Sequence, residues 1–235
     1  MMLSWQDKLE MELQGYNKMR ILTTPTIIRW ANYIANKKSP LSNNNVHLWI
    51  KRMVAMGKLE QVTKGVYINA MTTPIVLPQE AAQYIRKGAI VSLHSSLINI
   101  LNNPTRIVFA ILPLINGKAN TGTVESKVGT FRFLSMPKSL LYAGLEKDRL
   151  QENRFCKIAT PEKALLDWLY LAKSPKSKLT PPPLDIELED LDMKRLKRLS
   201  KLMGLDDALN DYLKKISAYR QDPNVQCNAC TISNL

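Results

Sequence analysis

Cysteine is scarce in this chain, and the scarcity excludes a disulfide-built fold: three cysteines among 235 residues make no multi-bridge framework. Two of them, Cys227 and Cys230, form a CxxC pair in the tail. That pair lacks the second pair a zinc site would need, and the only histidines, His47 and His94, lie far back in the sequence. No metal site is therefore expected. Long apolar runs are also missing. The longest, near Val108 to Ile115, contains Pro113, so no membrane span is expected. Asp7, Lys8 and Glu10 break any early apolar stretch, so no secretory leader is expected and a cytoplasmic location is. There is no glycine-rich phosphate loop, no HExxH and no nucleophile elbow. A cofactor and a catalytic set are accordingly not expected.

Acidic charge is the last shortage. The chain has 33 Lys+Arg against 20 Asp+Glu, a net charge of +13. The excess is concentrated: between Lys18 and Lys64, Glu60 is the sole carboxylate. Such a stretch attracts a polyanion with salt-sensitive affinity. By itself the charge fits DNA, RNA or an anionic membrane. An apolar content of 45% is enough for a packed core.

What the chain does have is the order of elements in Ser42 to Asn69. Ser42 suits a helix N-cap, its hydroxyl accepting from a free helical N–H. Gly57 suits the left-handed residue that ends a helix. At about 100° per residue, Val46, Trp49, Ile50, Met53 and Met56 fall on one arc, which predicts a core-facing side. Asn44, His47, Leu48, Lys51 and Arg52 fall opposite. Leu59 and Val62, then Val66, Tyr67 and Ile68, read as two strands. Gly65 supplies the turn and Lys64 sits at its tip, where a wing would meet phosphate. Upstream, Thr24 or Thr26 is expected to cap a helix through Asn36, with Ile27, Trp30, Ala31 and Ile34 inward and Arg29, Asn32 and Asn36 opposite. Trp5, Leu9 and Leu13 suggest a helix before that. Three helices and a hairpin make a winged helix-turn-helix, whose recognition helix reads base edges mainly from its N-terminal end. Asn pairs well with adenine, and Arg and Lys with guanine or phosphate, so the tip Asn43, Asn44 and Asn45 is suggestive of DNA. Capping and solvation are the other reading of an Asn run.

The rest of the chain predicts a mixed α/β domain ending in helices, giving an α+β protein with domains at 1–70 and 71–235. The expected elements are a helix over 79–87, a strand at 89–91 and a helix from Ser92 to Leu101. A turn at Asn102-Asn103-Pro104 and strands at 106–112, 122–127, 130–133 and 155–158 follow. Thr160-Pro161-Glu162 starts a core helix carrying Ala164, Leu165, Trp168, Leu169 and Leu171. After Pro181-Pro182-Pro183, Leu196, Leu199 and Met203 share one helix side, and Lys194, Lys197, Arg198 and Lys201 the other. That basic side is a second DNA or partner surface, or a solvated face. A last helix is expected over 205–219. Ser92, His94, Ser95 and Ser96 cluster without a recognisable acid, and Glu162 and Asp167 sit about 140° apart on their helix, unlike a metal pair.

Three segments then resemble one family. GKLEQVTKGVYI resembles the wing of AbiEi-type antitoxins, VSLHSSLINIL their helix after a short strand, and ATPEKALLDWLYL their TPE+ALLD helix. The resemblance spans about Lys51 to Leu171 and leaves the region after Pro181 and the CxxC tail unaccounted for. It implies a bacterial type IV toxin–antitoxin component that represses its own operon by binding inverted repeats in double-stranded DNA. It also implies neutralisation of a nucleotidyltransferase-like toxin without a stable complex. The DNA-contacting residues it implies here are Asn43, Asn44, Asn45, His47, Lys51, Arg52, Lys58 and Lys64. Two other classes stay open. One is a nucleic-acid-processing enzyme targeted by a winged helix. The other is a protein-binding scaffold, to which the apolar Leu48 among basic residues points.

Overall fold

The computed structural model describes residues 3–16, 18–36, 39–97, 107–118, 120–144 and 156–222. The chain is α+β, with mixed helices and strands in its N-terminal part and helices at its C-terminal end. It divides into two compact units, Met1–Gly88 with Thr123–Phe131, and Ala89–Gly122 with Arg132–Leu235. The anticipated turn at 102–104 and the Cys227/Cys230 pair lie outside the described residues. Among the described residues, no helix is long and apolar enough to cross a membrane.

In the first unit, α1 (Trp5–Leu13) opens with a reciprocal cap between Ser4 and Asp7. A short strand β1 (Gly15–Tyr16) follows, then β2 (Ile21–Thr23), α2 (Thr24–Ala35) and α3 (Asn43–Ala55). The hairpin β3 (Leu59–Thr63) and β4 (Val66–Asn69) leads to β5 (Thr72–Thr73), which pairs in parallel with β1. The sheet here has three strands in the order β2-β4-β3, one more than the hairpin read from sequence. Ile21, Leu22 and Thr23 pair antiparallel with Ile68, Tyr67 and Val66. Two apolar residues and a threonine before a Thr-Pro helix start carry too little periodicity to be read as a strand; its partner creates it.

The helices form where their caps and apolar faces agree. Leu9 and Leu13 of α1, Ile27 and Ala31 of α2, and Val46, Trp49, Ile50 and Met53 of α3 converge on one core with Leu22, Leu59 and Tyr67. Fully burying each large aliphatic is worth about 1.5–3 kcal/mol. Three local expectations change. The α2 cap is Thr23, whose hydroxyl accepts from the Thr26 N–H at 3.3 Å, because β2 delivers Thr23 in extended backbone just before the helix. Asn32 does not face away from the fold: its carboxamide donates to the Ile28 carbonyl at 3.0 Å and accepts from the Leu41 N–H at 2.7 Å. Met56, placed on the core arc by periodicity, is 55% exposed because α3 ends at Ala55 and Gly57 turns the chain with φ +69.

Two buried polar groups hold the joins. Asn69, fully buried, donates to the carbonyls of Leu13 and Met19, both at 2.8 Å. Arg20 and Glu80 form a buried bidentate pair at 2.6 and 2.7 Å, and Arg20 also donates to the Pro74 and Ile75 carbonyls. Residues 74–80 are thereby tied to the first unit. The helix expected over 79–87 is shorter: a 3-10 turn, Pro78–Ala81, and a single turn α4 (Ala82–Ile85).

Downstream run the strands β6 (Ile90–Val91), β7 (Ile107–Pro113), β8 (Gly122–Ser126) and β9 (Gly129–Met136), in the sheet order β6-β7-β9-β8. The tip of the last hairpin, Thr123–Phe131, is grouped with the first unit. Then come α5 (Lys138–Leu141), α6 (Pro161–Ala172), α7 (Met193–Met203) and α8 (Asp206–Gln221). The Thr160-Pro161 start of α6 is as expected, with the Thr160 hydroxyl accepting from the Lys163 N–H. Trp168, Leu165, Leu196, Leu199 and Ile216 are among the side chains of the second unit's core.

Two expectations here are corrected. Ser92 does not cap a helix: it leads into a 3-10 turn, Leu93–Ser95, and its hydroxyl is spent on Asp167; residues 98–101 lie outside the described residues. The segment 155–158 makes only a parallel bridge, Ile158 to Val91, rather than a strand; residue 155 itself is outside the described residues.

Candidate nucleic-acid interface

Helix α3 presents the polar face that its periodicity requires. Asn43, Asn44 and Asn45 occupy its first turn and are exposed, while the Ser42 hydroxyl accepts from the Asn45 N–H at 3.3 Å. The cap is satisfied by Ser42 and not by the asparagine carboxamides, which are left to solvent. His47, Leu48, Lys51 and Arg52 are exposed behind them, with Leu48 at 63%.

The basic residues divide into two groups. His47 and Lys51 on α3 and Lys64 at the β3–β4 turn line one groove, together with Thr24 and Gln61. Ile50, Val54 and Tyr67 make the apolar part of its lining. Among the described residues no carboxylate lines it; Glu60 and Glu125 line the adjoining cavity, which shares Val54, Gln61 and Lys64 with it. The groove is held open by backbone: the Thr24 N–H donates to the Gly65 carbonyl at 3.0 Å, pinning the hairpin turn to the start of α2. Gly65 has φ +80, and a Cβ there would come 3.4 Å from the Thr24 hydroxyl. The glycine serves the turn, whose positive φ a side chain would strain; the contact itself would be an ordinary one.

Arg52 and Lys58 point elsewhere. Arg52 reaches Gln6 of α1 at 3.5 Å, and its charge helps hold Asp7 below the ordinary carboxylate value, after the larger effect of the Ser4 hydrogen bonds. Lys58 is half-buried and ion-paired with Glu10. Of the eight residues expected at the interface, the structure therefore gathers His47, Lys51 and Lys64 at the groove, sets the three asparagines at the helix tip, and directs Arg52 and Lys58 toward α1. Thr24, read from the sequence as a helix cap, and Gln61 were not expected at this groove. Neither has a signal for it in the sequence, because it is the pairing of β2 with β4 that brings Thr24 beside the hairpin.

The second unit holds a different polar cluster. Ser92, which had no recognisable acid in the sequence, donates to Asp167 at 2.8 Å, and Asp167 is ion-paired with Lys163 one helical turn back. All three are almost fully buried. Burial pushes the Asp167 carboxyl up, opposed by the Lys163 ammonium and the Ser92 hydroxyl. Sealed from solvent, the cluster joins β6 to α6 and offers no reacting group to a substrate. His94 stacks on Phe109 and lies 3.8 Å from the Trp168 ring, and burial lowers its pKa. Glu162, also buried, accepts the Asp192 N–H at 3.0 Å, and so latches the start of α7 onto α6. Lys194, Lys197, Arg198 and Lys201 on α7 are exposed. Among the described residues, no group of three His, Cys, Asp or Glu is placed to hold a metal ion.

In comparisons with known proteins, no family model matches the chain and no curated protein is significantly similar to it.

Proposed function

We propose that the chain is a DNA-binding transcriptional repressor whose first unit is a winged helix-turn-helix, with α3 as recognition helix and the β3–β4 hairpin as wing. The observation that carries this reading is the groove in which His47, Lys51 and Lys64 converge, with no carboxylate among its described lining residues, beside a helix tip of three exposed asparagines. A recognition helix enters the major groove with its N-terminal residues against base edges. On that arrangement Asn43, Asn44 and Asn45 read bases, and Lys51 and Lys64 neutralise phosphate. The resemblance of GKLEQVTKGVYI, VSLHSSLINIL and ATPEKALLDWLYL to AbiEi-type antitoxins supports the fuller reading: a repressor of its own operon that also counteracts a nucleotidyltransferase-like toxin.

Fluorescence anisotropy on the DNA upstream of the protein's own gene tests the first half. Tight, salt-dependent binding that is lost in Lys51→Ala/Lys64→Ala is expected. Equal, weak binding to operator and scrambled duplex would favour the scaffold reading, in which the exposed Leu48 meets a protein. For the second half, co-expression with a nucleotidyltransferase-like product of the adjacent gene is expected to relieve the growth arrest that product causes alone. Persistence of the arrest would remove the antitoxin role while leaving repression standing.

A further inference from the structure

A helix that fills the major groove of a duplex, about 12 Å wide, lies one sugar–phosphate strand away from the minor groove, about 6 Å wide. An element standing beside that helix must straddle the strand. The concavity between helix and element is then where the strand runs. In this chain the concavity is the groove bounded by α3 on one side and the β3–β4 turn on the other.

Its chemistry matches such an occupant. Lys51 and Lys64 stand on opposite walls, and neither is engaged in an ion pair among the described residues. The half-buried Val54, with the edges of the buried Ile50 and Tyr67, makes an apolar floor for the sugar. Thr24 and Gln61 add uncharged donors: the Gln61 carboxamide has only a 3.5 Å contact with the Thr63 carbonyl, at the outer limit of a hydrogen bond. The adjacent acid on β3, Glu60, does not line the groove, and the register slips between Gln61 and Thr63. Such a slip re-aims side chains at a strand's functional end.

We propose that this groove seats one sugar–phosphate strand of duplex DNA, with Thr24 and Gln61 as uncharged phosphate donors between the charges of Lys51 and Lys64. The assignment rests on the DNA-binding reading above and extends it to two residues that carry no charge. It separates the surface into a part that positions and a part that reads. Contacts to phosphate fix register but carry no sequence information, so the groove contributes equally to any duplex.

The test uses the full chain, a mixed-sequence DNA duplex and the upstream duplex, each titrated by anisotropy over a range of KCl concentrations. Gln61→Ala/Thr24→Val is expected to weaken binding to both duplexes by the same factor, roughly tenfold for two lost donors, without changing the slope of log K against log salt. Lys64→Ala is expected to lower that slope by about 0.9, as one released counterion requires. Gln61→Glu, nearly isosteric, is expected to weaken both duplexes further by placing a carboxylate against phosphate. Unchanged affinity in the double variant and in Gln61→Glu would overturn the proposal, as would a loss confined to the upstream duplex, which would make these residues base readers. If the wild-type chain binds neither duplex, the DNA-binding reading itself fails and the groove assignment goes with it.

Discussion

The Asn32 side chain on α2 accepts the Leu41 backbone N–H, just before α3, at 2.7 Å. Its other end donates to the Ile28 carbonyl at 3.0 Å, one turn back on its own helix. A single carboxamide thereby ties Leu41, the residue before the Ser42 cap of α3, to α2. Asn32→Ala removes both bonds and leaves the Leu41 N–H without its partner. The expected cost is about 1–3 kcal/mol in urea unfolding. Under the proposed DNA-binding role, weaker duplex binding should accompany it, although Asn32 does not line the groove. An unchanged unfolding midpoint would show that Leu41 is held by packing alone.

Lys58 and Lys64 carry the same charge a few residues apart, yet only Lys64 lines the groove; Lys58 is paired with Glu10. Lys64→Ala is expected to reduce the salt slope of duplex binding by about 0.9, and Lys58→Ala to leave it unchanged. As a half-exposed ion pair, Lys58–Glu10 is worth at most about 1 kcal/mol of stability. Equal slopes for the two variants would mean that overall charge, and not the groove, governs binding.

Asp167 holds the buried Lys163 ammonium and the Ser92 hydroxyl together. Asp167→Ala leaves a positive charge sealed without a partner, and roughly 3–5 kcal/mol should be lost in chemical denaturation. Lys163→Met/Asp167→Leu replaces the pair by apolar volume and should recover most of that loss. If the double variant is as unstable as the single one, the pair contributes more than charge balance.

His94 lies against Trp168 and has its pKa lowered by burial. Since the folded state resists protonation, the unfolded chain takes up the proton first as pH falls below the ordinary histidine value near 6.5. The stability this contributes is present above that value and is lost as pH falls toward the lowered one. Asp167, its carboxyl raised by burial, works in the opposite sense: its contribution is complete below the ordinary carboxylate value and is lost as pH rises through the raised one. Comparing wild type with His94→Gln isolates the imidazole. Wild type should lose more stability than the variant between about pH 7.5 and about pH 5.5, with a matching change in Trp168 emission. Parallel pH profiles would exclude His94 as the titrating group.

Much of this fold was legible because local signals agreed. Ser42, the apolar arc of α3 and Gly57 each mark the same helix, and Thr160-Pro161 marks α6 with equal clarity. Where periodicity ran past the real helix end, as at Met56, the glycine turn overrode it. Strand β2 and the Ser92–Asp167 bond were not legible. Both depend on partners far along the chain, and neither Ile21–Thr23 nor a lone serine has a local pattern that announces them.

The sequence by itself determined the charge excess, the polar and apolar faces of the helices, and the cap and stop residues. These follow from residue type and from spacing along one element. Only the tertiary structure decided which cations stay free. Lys58 is as basic as Lys51 and Lys64, but α1 brings Glu10 to it, while β2 brings Thr24 to the hairpin and the groove's described lining residues include no carboxylate. The physical reason is that a side chain's electrostatic surroundings are set by what other elements carry to within a few ångströms of it, and chain spacing does not encode that distance.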